Sequence, residues 1–112
     1  MGLAVHSVVL EIDGTGKYVE LACEGASEAV VQARLVSGSA WTSAVLKFEG
    51  SAAERGQRWD EIDPLVRLSG EGMTRPICVA GLRRFRVTVH SASGTSQTRA
   101  ELTIGLHNPN YP

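Results

Sequence analysis

Three histidines, two cysteines and many serines are the side chains of this 112-residue chain that could carry nucleophilic or metal chemistry. Nucleophilic catalysis needs a serine or cysteine beside a histidine that a carboxylate orients. No serine here lies in a Gly-x-Ser-x-Gly elbow, which needs a strand-to-helix turn foreign to the pattern of this chain. Cys23 and Cys78 are distant in sequence and no close-spaced ligand pair accompanies them, so zinc is not expected. Gly14-Thr15-Gly16 lacks the third glycine and the following helix of a phosphate-binding loop, and reads as a hairpin turn. Asp60, Glu61 and Asp63 do not keep the spacing of a calcium loop; Trp59 and Ile62 interleave them, and they read as a solvated loop end. His6 falls on an apolar strand face and His90 and His107 on outward faces, which gives all three structural or surface roles. The expectation is a protein that is not an enzyme, with no catalytic residue, no cofactor and no metal.

Recognition is what remains. Arg83, Arg84 and Arg86 form the one basic patch, near Arg75 in sequence. On a chain of formal net charge -1 and pI about 6.3, such a patch reads as a solvated face or a protein contact, not a nucleic-acid groove. Trp59 closes a polar loop, where an aromatic ring is either a lid over the sandwich edge or a binding anchor. The final residues, His107-Asn108-Pro109-Asn110-Tyr111-Pro112, carry two prolines that forbid a continued ladder. Residues 108–112 are therefore expected to be an extended tail that reaches a neighbouring subunit or the surface the protein assembles on, with Tyr111 as an amphipathic contact. Trp59, Arg84, Arg86, Asn108, Pro109 and Tyr111 are the partner-binding candidates.

The elements that must position these residues are strands. Alternation with period two dominates and helical periodicity is almost absent. Ala4, His6, Val8, Leu10 and Ile12 share one face of the first strand, and Asp13-Gly14-Thr15-Gly16 turns the chain. Val19, Leu21 and Cys23 fall together, then Val31, Ala33 and Leu35, with Ser37-Gly38-Ser39 as a breaker. Ala44, Leu46 and Phe48 mark the next inner face. Gly50 to Pro64 is polar and broken by glycine, and reads as a long surface loop returning at Trp59 and Ile62. Leu65–Leu68 is a short strand, and Met73–Val79 an edge strand or bulge because Pro76 cannot donate to a ladder. Phe85, Val87 and Val89, then Ala100, Leu102, Ile104 and Leu106, make the last two inner faces. About eight short strands separated by turn signals predict an all-β, two-sheet antiparallel sandwich of jelly-roll type. Residues 1–107 form its single domain and 108–112 its tail.

No stretch approaches the roughly 18 apolar residues of a membrane helix, so no membrane partner is expected. The start, Met1-Gly2-Leu3-Ala4-Val5-His6, has no positively charged region of the kind that opens a signal peptide. Without secretion, Cys23 and Cys78 read as two buried reduced thiols, with a cross-sheet disulfide as the rival.

From Ala44 to Leu106 the order of elements resembles virion accessory proteins of tailed bacteriophages and discoidin-like jelly rolls. The residues that carry the resemblance are Phe48-Glu49-Gly50-Ser51, Arg58-Trp59, Gly81-Leu82-Arg83-Arg84-Phe85-Arg86-Val87, Ser91-Ala92-Ser93-Gly94-Thr95 and Ala100 to Leu106. The resemblance implies a capsid-decorating or head or tail surface component, assembled in the host cytoplasm as a homo-oligomer on a capsid or tail protein. The alternative is a carbohydrate-binding module with Trp59 as its stacking platform and a glycan as partner. An aromatic content of 5% is thin for a sugar cleft.

Overall fold

The computed structural model describes residues 4–12, 15–35, 43–68, 72–93 and 100–108, with side chains for most of them outside the first strand. Eight strands follow one another with no helix among the described residues: β1 (Ala4–Ile12), β2 (Tyr18–Ala22), β3 (Glu28–Leu35), β4 (Ser43–Ser51), β5 (Asp60–Leu68), β6 (Met73–Cys78), β7 (Arg84–Ser93) and β8 (Ala100–Asn108). They form two four-stranded sheets, ordered β1-β8-β3-β6 and β2-β7-β4-β5. β1 pairs with β8, β2 with β7, β3 with β6 and β4 with β5, always antiparallel. The chain is thus one long antiparallel ribbon wound on itself, and the β3–β8 and β4–β7 pairings knit its turns into sheets. That winding is the jelly roll.

The alternation explains the core. Leu46 and Phe48 from β4, Phe85, Val87 and Val89 from β7, Val31 from β3, and Leu102 and Ile104 from β8 are fully buried between the sheets. Inward-facing Gly50 leaves a space that the Leu82 and Ile62 side chains fill, so the β6–β7 loop closes over that end of the core. Gly16, at a φ of 82°, turns the chain into β2 and donates its N–H to the Val89 carbonyl at 2.8 Å. The face assignment of β1, the Ser37-Gly38-Ser39 breaker and residues Asp13 and Gly14 lie outside what the structure describes.

Several expectations are corrected. The loop expected over Gly50 to Pro64 is shorter. β4 runs to Ser51 and β5 starts at Asp60, held by Gly50↔Asp60 and Glu49↔Glu61 pairing, so only residues 52–59 connect them. The register shifts between Leu46 and Glu49, which places Pro64 and Leu65 in a bulge and breaks the alternation that would have marked a strand. Asp60, Glu61 and Asp63 accordingly stand on an edge strand rather than a loop end. Ser91 to Ser93, expected in a turn, complete β7. Asn108 is the last residue of β8, paired with Ala4, and does not belong to the tail. Cys78 is exposed, not buried: Ile77 takes the inward position of β6 and turns its neighbour outward. Cys23 faces inward, so the two thiols lie on different sides of a sheet and remain free.

β5 and β6 are the edges of different sheets, and proline stands in each, at Pro64 and Pro76, where a missing donor costs no ladder bond. Arg75 crosses between them. Its Nη1 donates to the Pro64 carbonyl at 2.8 Å and pairs with the Asp63 carboxylate at 3.1 Å, which staples this side of the sandwich.

Candidate functional site

The outer face of the β2-β7-β4-β5 sheet gathers three of the candidate residues. Because Phe85, Val87 and Val89 point into the core, Arg84, Arg86 and Thr88 must point out; the same alternation in β4 turns Lys47 and Glu49 outward. Register then aligns Glu20, Arg86 and Glu49 in one row across β2, β7 and β4. The Arg86 Nε donates to Glu49 Oε1 at 2.9 Å, and the Thr88 hydroxyl donates to the same oxygen at 3.0 Å. Lys47 Nζ lies 3.7 Å from the other carboxylate oxygen.

Glu49 is only 6% exposed although it lies on an outer face. Burial by itself would push its carboxyl up. The hydrogen bonds from Arg86 and Thr88, with the positive charges of Arg86 and Lys47, outweigh that and hold the carboxyl below its ordinary value. What covers it is a stack of cations and rings. The Arg86 guanidinium carbon sits 4.2 Å from the Trp59 ring centre and 4.9 Å from that of Tyr18. Arg84 lies 4.6 Å from Trp59. All three distances suit cation–π attraction.

Arg84 also builds the loop that delivers Trp59. Its Nε donates to the Ala53 carbonyl at 3.0 Å, and its Nη2 to Ser51 Oγ at 3.2 Å and the Gly56 carbonyl at 3.0 Å. Arg83 is a surface bracket, paired with Glu54 at 3.4 Å and Glu24 at 3.8 Å. The basic patch is therefore largely neutralised by neighbours. Trp59 itself is half-buried and lies on the outer face of the sheet rather than over a sandwich edge. With two guanidinium groups against its ring, it is a poor open platform for a sugar.

Tyr18 and Glu49 belong to this cluster and were missed as site residues. The signal for Tyr18 was an aromatic ring on the polar side of the Val19–Leu21–Cys23 alternation. Tyr18, at 53% exposure, and Leu65, at 42%, are the exposed large hydrophobic residues among those described, and they stand on the two edge strands of this sheet. Pro109 and Tyr111 lie outside the described residues, and Asn108 is described through its backbone alone.

Among the described residues no serine or cysteine side chain hydrogen-bonds a histidine ring: Ser27 Oγ donates to the His107 backbone carbonyl at 3.3 Å, and Cys23 Sγ to the Leu82 carbonyl at 3.6 Å. Burial pushes the Cys23 thiol up to about 11, far from a reactive thiolate. No trio of His, Cys, Asp or Glu side chains among the described residues is arranged to hold a metal ion. His90 is exposed as expected; His107 lies on the outward side of β8, yet its Nε2 is closed off without a partner among the described residues.

The fold and this face together define an all-β jelly-roll domain with a preorganised cation–aromatic surface. No known family model matches the chain, and no curated protein matches its sequence.

Proposed function

We propose that this protein is a non-enzymatic accessory component of a tailed-phage virion. It acts by protein–protein assembly on a capsid or tail surface, as a homo-oligomer, with the outer face of the β2-β7-β4-β5 sheet as its contact surface. The observation that carries the assembly reading is the Tyr18–Arg86–Trp59–Arg84 stack mounted on the buried Glu49. Tyrosine, tryptophan and arginine are the residue types that dominate interface energetics. Here their rotamers are already ordered by ion pairing and by the loop contacts of Arg84, so docking costs less conformational entropy. The virion context is supported by the resemblance over Ala44 to Leu106 and by a jelly-roll topology common among capsid domains.

Mass spectrometry of purified phage particles tests the location: the chain should be present in fixed stoichiometry, and its absence from particles overturns the virion reading. Light scattering on the purified protein tests the surface. The wild type should be oligomeric and Tyr18→Asp, at an exposed position, should shift it toward monomer while keeping the fold, with a thermal transition lowered only by the few degrees that the lost contact with Arg86 implies. An identical oligomer in the variant moves the contact surface elsewhere.

A further inference from the structure

The opposite face of the sandwich carries a groove that the assembly surface does not use. It is a concavity of about 340 Å³ on the outer side of the β8-β3-β6 strands. Register places Thr103, Gln32 and Thr74 in a line across the three strands, with Glu101 and Arg34 in the line beside it. One end is walled by Gly72, whose φ of 81° and closeness to β3 are open to glycine alone: a Cβ there would stand 2.8 Å from the Ala33 carbonyl oxygen.

The donors and acceptors in this groove are of a particular kind. Among the described residues, the Gln32 amide and the Thr74 and Thr103 hydroxyls make no side-chain hydrogen bond, so each offers both a donor and an acceptor to whatever enters. The charged groups cancel: Arg34 Nη2 and Nε both lie 3.0 Å from Glu101 Oε1. This exposed ion pair presents donors and acceptors side by side without a net field that would select an ion. Met73 lines the groove through its backbone, since its side chain packs inward against the core beneath the sheet. The volume is at the low end of the range for small-ligand sites.

We propose that this groove binds a neutral, hydroxyl-rich ligand, namely one or two sugar residues of a glycan. Adjacent sugar hydroxyls match paired donor–acceptor groups such as Gln32 and the Arg34–Glu101 pair. The site lies on the sheet opposite Trp59, the ring that would have been the obvious platform and that Arg84 and Arg86 occupy. No aromatic ring is among the described residues that line the groove, so the binding they supply rests on hydrogen bonds and is weak, with Kd on the order of 1–10 mM for a single sugar unit.

The experiment is an amide chemical-shift titration of the full chain with methyl glycosides of glucose, galactose and N-acetylglucosamine and with their disaccharides. At least one sugar should give saturable shifts centred on Gln32, Arg34, Met73, Thr74 and Thr103. The outward-facing double variant Gln32→Ala/Thr103→Val should keep the rest of the spectrum and bind at least about fivefold more weakly. Absence of saturable shifts up to about 50 mM with every sugar, an affinity range already generous for a weak site, overturns the proposal. So do shifts centred on Tyr18 and Trp59, or a double variant that binds like the wild type. Neither virion mass spectrometry nor Tyr18→Asp bears on this face, so the two proposals stand or fall separately.

Discussion

Replacing Arg86 with Met removes the guanidinium while keeping an apolar stem of similar length over Glu49. The lost interaction is the 2.9 Å charge-assisted bond to a carboxylate that is 6% exposed. Leaving a buried charge without its partner costs about 3–5 kcal/mol when nothing else compensates. The Thr88 hydrogen bond at 3.0 Å and Lys47 at 3.7 Å remain, and bring the expected loss to about 2–3 kcal/mol at pH 7. With a urea slope of about 1.5 kcal/mol/M for a domain of this size, the midpoint followed by far-UV circular dichroism should fall by roughly 1.3–2 M. The pH dependence is the sharper signature. In the wild type, the folded pKa of Glu49 lies below its unfolded value, so its stabilisation is present above an unfolded pKa of about 4.3 and is lost as pH falls through the folded one. Without Arg86, burial becomes the dominant influence and raises the carboxyl, so acid relieves the variant instead. The stability gap should be widest at pH 7 and close toward about pH 3.5. Adding Glu49→Gln to Arg86→Met should recover part of the loss, because the unpaired charge is gone. A midpoint shift under about 0.5 M at pH 7, or a gap equal at both pH values, would refute the account of Glu49 as a buried, arginine-held carboxylate.

Gly50→Ala is expected to destabilise the protein by about 1–3 kcal/mol, because the new methyl overlaps the Leu82 side chain and crowds Ile62 at 3.3 Å; thermal melts that match the wild type would show that the β6–β7 loop gives way freely. Cys78 should react with a thiol reagent in the native protein at pH 8, whereas Cys23 should react only after unfolding, since one is exposed and the other buried with a raised pKa. Equal labelling of both under native conditions, or a non-reduced mass two units light, contradicts the placement of the two thiols.

The fold class was legible because period-two alternation is a local property. Phe85, Val87 and Val89, or Leu102 and Ile104, announce their inner face within five or six residues, and the burial of all five follows from that pattern. Arg84 and Arg86 were legible as a pair for the same reason: a residue between two core positions must point outward. The extent of β5 was not, because the bulge at Pro64 and Leu65 interrupts the period and its outer residues are as polar as a loop.

Pairing was beyond the reach of any local pattern. β1 with β8 and β2 with β7 join residues up to about a hundred positions apart, and each strand's alternation is compatible with many partners. Which side chains share a row is decided by register, so only the tertiary structure could set Arg86 between Glu20 and Glu49 or line up Thr103, Gln32 and Thr74. The same holds for Cys78 and Trp59. Composition alone cannot distinguish a buried thiol from an exposed one, or a lid from a ring packed on an outer face, because that depends on neighbours brought from elsewhere in the chain. Residue type and spacing determined that this chain forms alternating strands around a core. Winding the ribbon into a jelly roll decided which outward residues meet, and with them both candidate surfaces, because contact between strands depends on register rather than on sequence distance.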